Sequence, residues 1–271
     1  MQGLGKVRAW ESVFVDGNAA SLLIRLNTII LVNVNDLLST GIVAKVDLEF
    51  FVEALSKLKN RNIPDADLEH IAEYVLEARK HTNQWTQFGL ESDLLGQIYK
   101  MADSPKYKNP EDLRYFLGEP GENTGLAGTV GDNPGHLEQL NEAVRKLKAG
   151  KDIKLEGGDG DIVNVTDGLS FQYKAYRGTS STAFNVNLKK AADQFNSEPT
   201  SLNKIAKVKI LNSSEQFYNS SAQVIRNKIQ ELFNGSADVA NNFRALKELQ
   251  VDNANGLLRF EVVDDIVFTI Y

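Results

Sequence analysis

Between residues 157 and 178 the chain reads GGDGDIVNVTDGLSFQYKAYRG, and no other stretch constrains its folding as tightly. Apolar and polar residues alternate on both sides of Asp167-Gly168. That is the pattern of two antiparallel strands joined by a two-residue turn whose central positions need positive φ. With those two residues as the turn, Thr166 pairs with Leu169, Val163 lies opposite Gln172, and Asp161 lies opposite Lys174. Side chains alternate faces along a strand, so Asp161, Gln172 and Lys174 share one face. Ile162, Leu169, Phe171 and Tyr173 point the other way, toward a core. Opposed Cβ atoms in such a pair sit about 5 Å apart, and the diagonal Asp161–Gln172 pair about 7 Å apart. Backbone geometry alone therefore gathers a carboxylate, an amide and an ammonium.

The flanking segments predict an α/β domain over residues 136–271. HLEQLNEAVRKLK, 136–148, is an amphipathic helix with Leu137, Leu140, Val144 and Leu147 inward, and Gly150 ends it. A short strand covers 152–156. Beyond the hairpin the spacing predicts a helix over 185–196, a strand over 204–211 and a long helix over 214–233. Another helix over 237–249 precedes two closing strands at 257–263 and 266–271.

Upstream, GEPGENTGLAGTVGDNPG, 118–135, disfavours both helix and strand and marks a linker. It sets off a mostly α-helical N-terminal domain, 1–117. Asp47 caps a helix running to about residue 60, Asp65 or Asp67 caps the next, and further helices cover 90–102 and part of 105–118. Trp10 and Trp85 read as core. The apolar run 19–34 is broken by Arg25, Asn27 and Asn33 and is too short to span a bilayer, so a buried helix rather than stable membrane insertion is expected. No catalytic constellation stands out in 1–117.

Composition narrows the chemistry. Cysteine is absent, which excludes disulfides and thiolate metal sites, and the only histidines, His70, His81 and His136, are too scattered for a typical zinc site. The net charge of −6 argues against a nucleic-acid partner until its distribution is considered. Residues 174–228 hold nine basic and three acidic residues, and this positive run starts at Lys174. Phosphate contacts supply most non-specific affinity for nucleic acid, so this is where a phosphate backbone is expected to approach. An ordinary solvated charge run is the alternative.

The hairpin cluster suits metal-assisted hydrolysis of a phosphodiester. Mg²⁺ takes hard oxygen ligands and keeps several waters, and a nearby lysine can position water or stabilise developing negative charge. A surface hairpin carrying a cross-strand Asp–Lys pair is the plainer alternative. The stretch resembles the active-site hairpin of the PD-(D/E)xK nuclease superfamily, in which an aspartate opens one strand and a (Glu/Gln)-x-Lys triplet lies on the next. Here GDGDIV supplies Asp161, and Gln172-Tyr173-Lys174 is the triplet in its glutamine form. The wording is particularly similar to C-terminal nuclease domains of bacterial contact-dependent inhibition and polymorphic toxins.

The resemblance implies a restriction-endonuclease-like mixed sheet flanked by helices, with the element order helix, three strands, helix, strand. It implies Asp161 and Gln172 as Mg²⁺ ligands, Lys174 as the third catalytic residue, and DNA or tRNA as substrate. It further implies a delivered effector acting in the cytoplasm of a target cell, a cognate immunity protein as partner, and a delivery or positioning role for the N-terminal domain. Outside that setting the protein is expected in the cytoplasm. Many family members carry a further metal-facing glutamate on the first helix. Glu138 and Glu142 point away from the leucine stripe, so that role is not carried onto them. Asp159 reads as a turn residue. Tyr176 and Arg177 either contact nucleic acid or serve an edge strand. The competing reading is a non-catalytic interaction protein in which the hairpin is only a scaffold.

Overall fold

The structure is a computed structural model that describes residues 53–71, 94–117, 134–155, 161–197 and 200–271. Residues 53–71 and 94–117 belong to one compact unit, and residues 134 onward to a second. The apolar run 19–34, Trp10, Trp85 and most of the glycine-rich segment, 118–133, lie outside the described residues.

The first unit is helical at 53–59, 65–71, Leu94–Asp103 and Leu113–Leu117. Leu55, Leu58, Leu68, Ile71, Ile98 and Met101 recur at helical spacing and are buried. Arg61 ties the pieces together: its guanidinium donates to the carbonyls of Ser104 (3.1 Å) and Tyr107, and it stacks on the Tyr107 ring. Its two terminal nitrogens thereby bind carbonyls in the last turn of the Leu94–Asp103 helix and in the turn beyond it.

The second unit is a seven-stranded mixed sheet with helices on both faces. Helix α1 (Pro134–Lys148) leads into an antiparallel meander of β1 (Ile153–Leu155), β2 (Ile162–Asn164) and β3 (Leu169–Tyr176). Helix α2 (Ser181–Ser197) crosses to β4 (Asn203–Ile210), parallel to β3. Helices α3 (Ala222–Gly235) and α4 (Ala237–Arg244) cross to β5 (Glu248–Asn253), parallel to β4. Strands β6 (Gly256–Val263) and β7 (Ile266–Ile270) complete the sheet by antiparallel pairing, and spatial order follows chain order. Parallel neighbours need a crossover, and these crossovers are what cover the sheet.

Alternation decides what each face carries. Ala206, Val208 and Ile210 of β4, Leu249 and Val251 of β5, and Phe260 of β6 join α2, α3 and α4 in the main core. Phe184 of α2 packs on Phe217 there, ring centroids 4.8 Å apart. The intervening residues Tyr173, Lys207 and Lys209 face α1. Gly150, at φ +79°, ends α1 in the left-handed region that L side chains rarely adopt.

Three sequence expectations are corrected. The β2–β3 turn spans Val165–Gly168 rather than Asp167-Gly168: Asn164 pairs with Leu169, and only Gly168 in the loop has positive φ. Asn164 causes this, because its amide donates to Asp167 Oδ2 (2.8 Å) while its carbonyl oxygen accepts from the Asp167 N–H (3.1 Å). The register therefore shifts by two, which brings Val163 opposite Ser170 and carries Asp161 toward Gln172 instead of Lys174. Helix α3 starts at Ala222, capped by the Ser221 side chain, because 212–220 is a loop. The helix expected over 237–249 stops at Arg244, and the chain re-enters the sheet as β5.

The β7 edge of the sheet is dressed by a side chain. On β7, the Gln230 amide of α3 donates to the Asp265 carbonyl (3.0 Å) and accepts from the Val267 N–H (2.8 Å).

Candidate active site

Strand β2 begins at Ile162, but β3 continues for several residues past its partner Phe171. The N–H and C=O of Tyr173 face that missing stretch of strand. Asp161, the residue before β2, fills the gap: its Oδ2 accepts from the Tyr173 N–H at 2.7 Å. Gln139 of α1 completes the pairing, its Nε2 donating to the Tyr173 carbonyl and to Asp161 Oδ2, both at 2.9 Å. Two acceptors on one nitrogen fix the orientation of this amide. Lys174 Nζ stands 3.6 Å from the same Asp161 oxygen.

Of the three residues named from the sequence, Asp161 and Lys174 thus meet directly. Gln172 lies beside them in β3 and is completely buried, so the cluster reaches solvent chiefly through Lys174, whose side chain is 23% exposed. Gln172 and Lys174 share one face of β3, and the shift of two residues, which leaves strand parity unchanged, still brings Asp161, just ahead of β2, to Lys174. Burial pushes the Asp161 carboxyl above its ordinary value, and Lys174, the Tyr173 N–H and Gln139 offset only part of that. Gln139 was not foreseen. Its Oε1 is buried and makes no hydrogen bond.

The other sequence candidates lie elsewhere or do other work. Asp159 lies outside the described residues. Glu138 and Glu142 are buried despite facing away from the leucine stripe, because Lys209 and Lys207 of β4 rise to meet them at 2.7 and 3.2 Å. Those two lysines are therefore not free for a phosphate backbone, and Lys204 lies over the Phe195 ring. Tyr176 sits in the main core with its phenol pushed up by burial, so it is not a stacking platform; the Arg177 carbonyl accepts from Asn212. A cleft of about 420 Å³ opens on the α1 face between Arg145, Lys146, Lys151, Lys207 and Asp252, but none of Asp161, Gln172 and Lys174 lines it.

Among the described residues no three His, Cys, Asp or Glu side chains converge as metal ligands; the site offers one carboxylate with amides around it. Nor, among those residues, is any helix long and apolar enough to cross a membrane. No family model, no curated protein and no solved structure matches the chain.

Proposed function

We propose that this protein is a metal-dependent nuclease that hydrolyses phosphodiester bonds of DNA or tRNA. The observation that carries the proposal is the Asp161–Lys174 contact, 3.6 Å, at the point where β2 stops and β3 runs on. The order α1, β1, β2, β3, α2, β4 is that expected of a restriction-endonuclease-like core and supports the finer fold reading.

The donor set fits a hard cation. Asp161 is a carboxylate whose burial is only partly compensated, and the Gln139 Oε1 beside it is a buried acceptor without a partner. Asp161 and Gln172 would hold Mg²⁺, joined by Gln139 from the first helix. Bound there, the ion would polarise a phosphoryl oxygen and acidify a water. The Tyr173 N–H and the Gln139 amide hold Asp161 through one oxygen and fix its direction. Lys174, the most exposed member, brings a positive charge to the phosphate and stabilises the negative charge that develops on it.

Incubation with plasmid DNA and with total tRNA, in Mg²⁺ and in EDTA, tests the reading. Metal-dependent cleavage of one substrate, lost in Lys174→Ala, is expected. No cleavage of either, or cleavage unchanged in the variant, overturns it. The toxin setting and an immunity protein rest on the resemblance of GDGDIV and FQYK alone. They are tested by whether a small protein encoded next to this one blocks the cleavage.

One observation favours the non-catalytic alternative. Asp161 and Gln139 satisfy the exposed edge of β3 as a structural cap would. On that reading Lys174→Ala changes nothing in any nuclease assay.

A further inference from the structure

Helix α1 meets the sheet through two ion pairs at matched spacing. Glu138 Oε1 lies 2.7 Å from Lys209 Nζ, and Glu142 Oε2 lies 3.2 Å from Lys207 Nζ. The glutamates are four residues apart on a helix, about 6 Å along its axis. The lysines are two residues apart on a strand, roughly 6.6 Å. The side chains of Glu138, Glu142 and Lys207 are only 2%, 11% and 5% exposed. Glu138 Oε1 also takes the Tyr173 hydroxyl (3.4 Å) and Arg145 Nη2 (2.9 Å).

An apolar helix on an apolar sheet tolerates small slides and rotations. Two buried charge pairs do not: Arg145 and Lys146 travel with the glutamates on α1, but any other register leaves Lys207, away from water, without its carboxylate and takes Glu138 off Lys209. Gln139 follows Glu138 directly, and its amide makes both contacts that hold Asp161 in place and cap Tyr173. A slide of α1 along the sheet therefore moves Gln139 off Asp161.

We propose that the Glu138–Lys209 and Glu142–Lys207 pairs form a register clamp that holds the Gln139 amide against Asp161 and thereby positions the metal-binding carboxylate. Glu138 and Lys209 are then positioning residues. The catalytic consequence rests on the nuclease reading, whereas the clamp itself can be read without activity.

The test uses the full chain with Glu138→Gln and Lys209→Met combined, which removes both charges and leaves neither stranded. Glutamine keeps an acceptor for the Tyr173 hydroxyl. Exchange of the Tyr173 amide, which donates to Asp161, is compared with that of Val208, which is paired on both sides. The double variant is expected to exchange Tyr173 about tenfold faster relative to Val208, the signature of one lost hydrogen bond. Half-saturating Mg²⁺, from calorimetry and from cleavage, is expected to rise roughly tenfold, as when the support of a metal ligand is removed. The plateau rate is expected to be largely kept, and Lys209→Arg alone is expected to retain wild-type behaviour.

Gln139→Ala, which leaves the clamp intact, is expected to reproduce the Tyr173 effect, with no further change when combined with the double variant. Additive effects, or Tyr173 exchange that stays in step with Val208, overturn the clamp. Faster Tyr173 exchange with unchanged Mg²⁺ dependence overturns its metal-positioning role. If the wild-type protein neither binds Mg²⁺ nor cleaves, the nuclease reading falls, and the exchange measurement still decides the clamp.

Discussion

Asp161 takes, with one carboxylate oxygen, the place beside Tyr173 that a longer β2 would occupy: Oδ2 accepts from the Tyr173 N–H at 2.7 Å. A side chain that completes a sheet edge is a structural part whatever chemistry it performs. The two roles separate by substitution. Asp161→Ala leaves the Tyr173 and Gln139 donors unsatisfied in a buried place and should cost about 1–3 kcal/mol. Asp161→Asn keeps an acceptor and relieves the burial of charge, so its urea midpoint should stay near wild type. Both should abolish metal-dependent cleavage. Activity surviving in the asparagine variant would leave Asp161 with the structural role only.

Lys174 is the chief counter-charge of the buried Asp161 carboxylate. Its own ammonium is partly exposed and the pairing is loose, so Lys174→Ala should cost about 1–3 kcal/mol, less than the loss of one partner from a fully buried pair. Cleavage should fall at least about a hundredfold. Denaturation and cleavage measured on the same preparation check both halves, and a stability loss beyond that range would assign Lys174 to the fold.

The α1 face predicts an acid-labile fold. Burial works to raise the Glu142 carboxyl, but Lys207, Lys146 and Arg145 outweigh it and bring it down to about 2, below the ordinary 4.5. A carboxyl lowered in the folded state contributes stability above the unfolded value and loses it as pH falls through the folded one. Glu138 shifts in the same direction, held down by Lys209 and Arg145 against its burial. Urea midpoints should therefore fall between about pH 4.5 and 2. Glu142→Gln should start lower at neutral pH, because Lys207 is left buried without its carboxylate, and should fall less steeply. Parallel slopes for the two proteins would exclude Glu142 as a source.

The β6–β7 turn carries a backbone prediction. Asp264 and Asp265 have φ of 48° and 65°, so both sit in the left-handed region although neither is glycine. Asp264→Val places a β-branched residue there and should cost about 1–2 kcal/mol. Asp264→Asn should be neutral or mildly stabilising, since asparagine tolerates that region. Thermal midpoints of the two variants test the sign.

These turns explain what was legible in the sequence. Asp167-Gly168 carries the strongest short hairpin signal in the chain, yet the Asn164 side chain bonds Asp167 and draws the turn out to four residues. The two-residue turn with both positions left-handed is Asp264-Asp265, whose composition announces it less clearly. The meeting of Asp161 and Lys174 was readable despite the wrong register because a shift of two residues preserves parity. Strand β5 was missed because Leu246 and Leu249 extend the helical spacing of Val239 and Phe243, and only Leu249 and Val251 show the strand alternation. The buried face of α1 was missed for a different reason. A helical wheel assigns glutamates outward, and only Lys207 and Lys209, alternating with Ala206, Val208 and Ile210 on a strand covered on both sides, reveal that carboxylates must answer them. Gln139 had no signal of its own, since its role arises only when β2 ends short of Tyr173.

The Gln230 bridge to Asp265 and Val267 has a bearing on how the protein behaves in concentrated solution. Strand β7 contains no charged residue and no proline, and Ile266 and Phe268 are 50% and 42% exposed, so it lacks the usual safeguards against pairing with another molecule. One amide borrowed from α3 acts as a gatekeeper across its open side. Colloidal stability then depends on a helix instead of on the strand at risk. Loosening α3, or shortening Gln230 to alanine, should increase association through β7, read by light scattering, before the sheet itself unfolds.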